Sequence, residues 1–138
     1  MREFIPYIIT ADDARYLVGI PSGKNKKIDH PSFEKIKETI ASVAPKANWS
    51  SPAFYRVEKK GKQHPWHVDT GTRNQMAWCR YGCTILLVND EDAGYLEYRD
   101  GHQLNYDEHF CGLAVHSSDV EHQTVHNKGR VTFLAFLK

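Results

Sequence analysis

The spacing of apolar residues changes about a third of the way along the chain, and before that point it is helical. In the segment PSFEKIKETIASV, large apolar side chains recur every three or four residues, at Phe33, Ile36, Ile40 and Val43. Residues at this spacing share one face of an α-helix, which predicts a helix packed on a sheet. Pro31 suits the first helical turn, and Pro45 ends the pattern.

A shorter helix is predicted upstream of this one. Thr10 and Asp13 in the segment TADD have the spacing of a capping box, and Ala14, Leu17 and Val18 follow as the apolar positions. This helix should end near residues 19–21, where Gly and Pro occur. The predicted helical part therefore covers about 10–45.

From Ala53 onward, short alternating or β-branched apolar segments are separated by turn residues. The predicted strands cover 54–59, 66–69, 77–88, 95–99, 111–116, 122–126 and 130–137. Asp100-Gly101 favours a hairpin turn. Both faces of the last strand are largely apolar, as expected for a sheet covered on both sides. Many short strands at regular spacing predict a sandwich or a jelly roll.

Composition narrows the class of protein without indicating a partner. The chain has 138 residues, of which 41% are hydrophobic and 25% charged, as in an ordinary single globular domain. The net charge of +1 gives no nucleic-acid signal. No apolar segment reaches the roughly 20 residues that span a bilayer, and the N-terminus lacks a signal-peptide pattern. We therefore expect no membrane association and a cytoplasmic location.

The three cysteines do not suggest a disulfide framework, because their number is odd and no secretion signal is visible. Cys79 and Cys83 are four residues apart in a predicted strand, which would place both on one side. A thiolate zinc site is one interpretation, and buried reduced thiols are the favoured one.

His67 and Asp69 are the first candidates for chemistry. They stand two residues apart in HPWHVDTG, so an extended strand would present imidazole and carboxylate on the same side. This spacing alone is a weak signal. Further histidines lie near the C-terminus: His116, His122 and His126. Two histidines and one carboxylate are the ligand set of a non-haem Fe(II) site with open positions, and Arg130 would add a fixed cation.

The order of these segments resembles the 2-oxoglutarate and Fe(II)-dependent dioxygenase superfamily, in its prolyl-4-hydroxylase-like branch. A strand containing Tyr55 leads through Gly61 into HPWHVDTG. CTILLVND is followed by the hairpin segment AGYLEYRDG, in which Ala93 replaces the first glycine of the family pattern. The chain closes with AVHSSDVEHQTVHNKGRVTFLAFLK. The resemblance covers roughly 54–138.

The resemblance implies a mostly β fold: a double-stranded β-helix, or jelly roll, over about 53–138, with one or two N-terminal helices packed on one sheet. It also implies that Fe(II) is bound by His67, Asp69 and His122. His122 fits the family pattern better than His126, which is too close to Arg130, or His116, which is too far away. His116 and His126 would then be polar residues on the outer face or at the rim of the site.

The same resemblance implies 2-oxoglutarate and O2 as co-substrates, with ascorbate as reductant. Arg130 is the expected partner of the distal carboxylate of 2-oxoglutarate, because a guanidinium binds a carboxylate through two hydrogen bonds. Thr132, two residues further along the same strand, and Tyr55 are the other predicted contacts. The expected reaction hydroxylates a C–H bond and releases succinate and CO2.

The substrate remains open at the level of sequence. The resemblance favours a peptidyl proline or another amino-acid side chain, and a small metabolite is also compatible with so short a chain. Two other classes remain: a cupin-like metal-dependent enzyme, which usually uses more histidines and a glutamate, and a non-enzymatic jelly-roll binding module. The module would have no need for a cation after the distal histidine.

Overall fold

The computed structural model describes residues 1–59, 63–70 and 76–138. Its N-terminal part contains β1 (Arg2–Ile5), α1 (Ala11–Val18) and α2 (Pro31–Val43). The predicted capping box starts α1, because Thr10 and Asp13 each accept a hydrogen bond from the other's backbone N–H. Both predicted helices are present, and their prediction is confirmed. No helix in the described segments is long and apolar enough to cross a membrane.

The remaining strands form the body of the molecule. They are β2 (Phe54–Glu58), β3 (His64–His67), β4 (Tyr81–Leu86), β5 (Tyr95–Tyr98), β6 (Gln103–Asn105), β7 (Leu113–Ser117), β8 (His122–Val125) and β9 (Thr132–Leu137). A 3-10 turn over Glu91–Ala93 precedes β5, and the one-turn helix α3 (Tyr106–His109) precedes β7.

Two antiparallel sheets face each other. One has five strands in the order β1-β7-β4-β9-β2, and the other has four in the order β3-β8-β5-β6. From β2 to β9 the chain therefore passes repeatedly from one sheet to the other. This arrangement is a jelly roll, and the predicted fold class is confirmed.

The two helices cover the outer face of the five-stranded sheet. Leu17 of α1 and Ile36 and Ile40 of α2 are fully buried in one cluster with Phe133 and Leu137 of β9. Removing such aliphatic and aromatic side chains from water stabilises the layer by about 1.5–3 kcal/mol each. A smaller apolar cluster, with Leu96 and Leu104, belongs to the four-stranded sheet.

The predicted alternation in β9 is confirmed. Phe133, Ala135 and Leu137 face the helices, whereas Thr132, Leu134 and Phe136 line a pocket between the sheets. A strand covered on both faces needs apolar residues on both, and this explains the continuous apolar pattern of the segment.

Two predicted details of the strands are wrong, and one strand of the five-stranded sheet was missed. The strand over 77–88 begins only at Tyr81, and Cys79 lies in the preceding turn, so the two cysteines do not share a strand. β3 ends at His67, and Asp69 follows it in a turn. β1 was not predicted, because its pairing with β7 depends on a partner more than a hundred residues away. Gly61 and Gly71 lie outside the described residues.

The three cysteines are buried and form no disulfide with one another. Burial raises the pKa of Cys79 to about 11, so its thiol is protonated at neutral pH.

Candidate metal centre

His67, Asp69 and His122 converge at one end of the pocket between the sheets. β3 and β8 are neighbours, and His67 pairs directly with His122 in their register. The backbone N–H of Asp69 donates to the carbonyl of Ser118 at 2.9 Å, which fixes the turn after β3. One donor atom from each of the three side chains lies within 4.8 Å of the other two. The structure thus brings together the three predicted metal ligands.

The backbone around the two histidines determines which ring nitrogens face the centre. Nδ1 of His67 donates to the carbonyl of Pro65 at 2.7 Å, and Nδ1 of His122 donates to that of Val120 at 2.8 Å. Their Nε2 atoms therefore point inward and lie 3.7 Å and 3.4 Å from Oδ1 of Asp69. A histidine held through Nδ1 presents Nε2 to a metal in this way. These residues fit a divalent cation.

The electrostatics of the three groups agree with a cation site. Burial raises the pKa of Asp69, but hydrogen bonds and charge from His116 and His122 outweigh it and bring the net pKa well below the usual range. Burial also lowers the pKa of His67. Burial acts in the same direction on His122, but the hydrogen bond and charge of Asp69 raise its pKa overall. The raised pKa means that His122 readily takes up a proton. A metal ion would replace this proton, because metal and proton compete for the same lone pair of the imidazole.

His116 holds the other oxygen of Asp69. Its ring is buried on β7, and Nε2 donates to Oδ2 of Asp69 at 2.7 Å. Nδ1 accepts from the Tyr98 hydroxyl at 3.4 Å, and burial lowers the pKa of this imidazole. His116 is therefore neither on the outer face nor at the rim. It fixes Oδ2 by a hydrogen bond and leaves Oδ1 facing His67 and His122. Carboxylates that bind metals are commonly oriented by a hydrogen bond of this kind.

Gly82 provides the space for this arrangement. It lies on β4 opposite His116 in the register. A Cβ built on Gly82 would overlap Oδ2 of Asp69 and lie 2.7 Å from Nε2 of His116. Glycine inside a strand often marks the close approach of another group, so its position in YGCTILLV was an available signal.

Arg130, two residues before β9, and Thr132, the first residue of β9, line the same pocket. Gly82, beside Asp69, pairs with Phe136, whereas Thr132 pairs with Leu86 at the opposite end of β4. Arg130 is only 4% exposed. The two predicted co-substrate residues therefore belong to the pocket, and they approach it from the end opposite the histidines.

No carboxylate in the described segments pairs with Arg130. Its Nη1 donates to the carbonyl of Ala93 at 2.8 Å, and its Nη2 donates to Nδ1 of His109 at 3.2 Å. Burial lowers the pKa of Arg130 to about 10, so the guanidinium is still charged at neutral pH. A buried cation without a counter-ion is costly, which makes this end of the pocket favourable for an anion.

Tyr55 does not belong to this pocket. Alternate residues of a strand face opposite sides, and in β2 it is Arg56 and Glu58 that line the pocket. The Tyr55 ring packs on Phe33 with centroids 4.7 Å apart, and its hydroxyl donates to the carbonyl of Lys26 at 3.0 Å. The structure thus corrects its predicted role as a co-substrate contact.

A charged group at the edges of the two sheets was not predicted. Arg56 and Glu58 of β2 form an ion pair at 2.8 Å, and His64 of β3 lies 3.4 Å from the same carboxylate. The hydrogen bond from His64 is the largest cause of the lowered pKa of Glu58. Strand alternation in FYRVE placed both charged residues on one face, but the pattern does not show that this face borders a pocket.

His126 is buried apart from the triad, and neither of its ring nitrogens has a hydrogen-bond partner among the described residues. It is not at the rim. His109, 21 residues before Arg130, is the other contact that the sequence did not suggest, because nothing local marks it.

Comparison with known proteins finds similar solved structures but no similar sequence. No protein-family model matches the chain, and no curated protein sequence does. A Pseudomonas putida prolyl-4-hydroxylase superposes with a TM-score of 0.65 and 13% identity, covering 99% of this chain and 91% of that one. A viral collagen prolyl hydroxylase from Paramecium bursaria Chlorella virus-1, solved with 2-oxoglutarate, gives a TM-score of 0.66 at 11% identity, covering 99% and 93%.

A third structure, an oxidoreductase of the 2OG-Fe(II) oxygenase family from Burkholderia pseudomallei, has a TM-score of 0.57 and 11% identity, covering 99% of this chain and 82% of that one. At such identities a structural match establishes the fold and leaves the activity open. The resemblance noted in the sequence is thereby confirmed for the fold: this chain has the jelly-roll fold of prolyl-4-hydroxylases and other 2-oxoglutarate and Fe(II)-dependent oxygenases.

Proposed function

We propose that this protein is an Fe(II)- and 2-oxoglutarate-dependent dioxygenase. Its substrate would be a peptidyl proline, another amino-acid side chain or a small metabolite, hydroxylated at a C–H bond with release of succinate and CO2. The observation that carries the proposal is that one pocket holds both a candidate cation site of His67, Asp69 and His122 and a buried Arg130 that has no carboxylate partner among the described residues. A metal site alone would suit many proteins, whereas the added anion site suits a dicarboxylate that reaches the metal.

The two ends of the pocket would have separate roles. His67, Asp69 and His122 approach the cation site from the strand ends of β3 and β8, which leaves the pocket side open for other ligands. Fe(II) held there with 2-oxoglutarate would supply the O2-dependent oxidation of a C–H bond, and ascorbate would be the reductant that keeps the metal ferrous.

At the other end, Arg130 offers donors to the distal carboxylate, and Thr132 adds a hydroxyl on the same face of the chain. Leu96, Leu134 and Phe136 supply apolar lining to the same pocket. Apolar walls exclude water and so strengthen the attraction between guanidinium and carboxylate.

The same observation weighs against the two other classes. A cupin-like site would be expected to use a glutamate, but Glu58, the glutamate that lines the pocket, is paired with Arg56 and His64. A jelly-roll binding module would have no reason to bury, at the end of the pocket opposite the histidines, an arginine that has no carboxylate partner among the described residues.

The experiment combines binding with turnover. Under anaerobic conditions, Fe(II)-loaded protein should develop a visible absorption band on addition of 2-oxoglutarate, and in air it should form succinate above a metal-free control. Arg130→Ala should bind Fe(II) normally and weaken 2-oxoglutarate binding, because a charge-assisted bidentate partner contributes on the order of 2–5 kcal/mol. Metal binding without a 2-oxoglutarate band or succinate would favour the binding module.

A further inference from the structure

His109 links Arg130 to the sheet that carries the pocket. It ends α3, is fully buried, and has contacts through both ring nitrogens. Nε2 lies 3.2 Å from the backbone carbonyl of Thr84, and Nδ1 lies 3.2 Å from Nη2 of Arg130. A carbonyl only accepts and a guanidinium only donates. One neutral tautomer satisfies both contacts, with the proton on Nε2 and the lone pair on Nδ1.

The partners of Arg130 are uncharged, which is unusual for a buried arginine. Buried arginines are commonly held by carboxylates, which orient the guanidinium and also neutralise it. Here the Arg130 guanidinium is held by a neutral imidazole and by the carbonyl of Ala93. Burial lowers the pKa of His109 to about 3, and the neighbouring charge of Arg130 acts in the same direction. The ring therefore stays neutral over the range in which the protein would work.

We infer that His109 is a positioning residue for the co-substrate: it fixes the Arg130 guanidinium in the pocket through an uncharged hydrogen bond and leaves the positive charge available to a carboxylate. The inference rests on the proposed function. An aspartate or glutamate at this position would hold Arg130 equally well but would compete with the ligand for its charge.

A pair of ligands isolates the effect. 2-Oxoglutarate and 2-oxopentanoate share the keto-acid end that binds the metal, but 2-oxopentanoate lacks the distal carboxylate. Dissociation constants of both are measured by calorimetry on the full chain loaded with redox-inactive Mn(II), so that no turnover intervenes. The ratio of the two constants reports the Arg130 end of the pocket, whereas general damage to the fold weakens both ligands together.

Three variants then separate positioning from packing. His109→Leu removes the acceptor and should reduce 2-oxoglutarate affinity by about tenfold or more, with 2-oxopentanoate binding unchanged. His109→Asn keeps an acceptor near Nδ1 and should retain most of the discrimination. His109→Asp keeps an acceptor and adds a charge, and it should lose the discrimination even if the protein is as stable as the Asn variant.

The outcomes distinguish this inference from the proposed function. If the wild type does not prefer 2-oxoglutarate to 2-oxopentanoate, the assignment of Arg130 and the proposed function fail together. If the wild type discriminates and the Leu variant discriminates equally well, His109 has a packing role only. Equal discrimination by the Asp variant would instead contradict the claim that a neutral partner keeps the charge of Arg130 available. Imidazole nitrogen NMR of the wild type needs no variant: a proton on Nδ1 of His109, or a charged ring at neutral pH, would contradict the inference.

Discussion

Replacing Gly82 with alanine should disable the metal centre by displacing a neighbouring side chain. The new Cβ would overlap Oδ2 of Asp69, lie 3.1 Å from Cγ of the same residue, and stand 2.7 Å from Nε2 of His116. Gly82 is not among the described glycines with a positive φ, so alanine is compatible with its backbone. The expected effect is therefore local: the carboxylate must leave its position.

The magnitude follows from two opposing terms. Forcing the carboxylate away from its charge-assisted hydrogen bond with His116 costs about 1.5–3 kcal/mol, whereas alanine in a strand is favoured over glycine by about 0.5–1 kcal/mol. The metal-free protein should thus lose about 1–2 kcal/mol of unfolding free energy. Metal affinity should fall on the order of 100-fold or more, since a ligand and not merely its support is lost.

A double-mutant cycle tests this reasoning. When Asp69 is alanine, the space beside residue 82 is free, and Gly82→Ala should be neutral or slightly stabilising. Urea unfolding of the four proteins in EDTA gives the coupling energy, expected at about 2 kcal/mol. Calorimetry then measures the Mn(II) affinity of the same proteins, and Gly82→Ala should lose as much affinity as Asp69→Ala.

Gly19→Ala provides the matched control, because Gly19 caps α1 away from the centre and its added Cβ would lie 3.3 Å from the Tyr16 carbonyl. It should leave Mn(II) affinity unchanged. The reasoning is refuted if Gly82→Ala binds Mn(II) like the wild type, or if its cost in stability is the same with and without Asp69.

Other predictions concern ligand choice, co-substrate contacts and pH. His122→Ala should abolish tight Mn(II) binding, whereas His126→Ala should leave it intact; calorimetry with the reverse result would exchange their roles. Thr132→Val should weaken 2-oxoglutarate binding severalfold, and Tyr55→Phe should not, because the Tyr55 hydroxyl donates to the Lys26 carbonyl on the opposite face; equal losses in calorimetry would place both in the pocket. The folded pKa of His109, about 3, lies below its unfolded value of about 6.5, so only the unfolded chain takes up a proton between these values. The contribution of neutral His109 to the free energy of unfolding is therefore complete above pH 6.5. It falls as pH decreases below that value, by up to about 1.4 kcal/mol per pH unit. Urea unfolding between pH 5 and pH 7 should show a smaller slope for His109→Asn, and identical slopes would contradict the assignment.

Local pattern was sufficient where a residue's role depends on its neighbours along the chain. The capping box of Thr10 and Asp13 and the apolar face of α2 concern contacts within one helix, and both were predicted correctly. The alternation of β9 likewise gave which residues share a face, and the structure then assigned one face to the pocket and the other to the helices. The choice of His67, Asp69 and His122 needed more than spacing; it came from the order of motifs shared with known oxygenases.

The tertiary structure decided everything that depends on which strands become neighbours. His116 lies 47 residues from Asp69, and His109 lies 21 residues from Arg130, so neither contact has a local signal. Tyr55 was assigned to the pocket by motif order, but the register of β2 turns Arg56 inward instead. Side-chain spacing along a strand has a period of two, and it does not say which of the two faces is covered by helices and which encloses a pocket. That choice is made by the packing of α1 and α2 on one side of the five-stranded sheet, because burying their apolar faces there leaves the other side to the pocket and its candidate metal ligands.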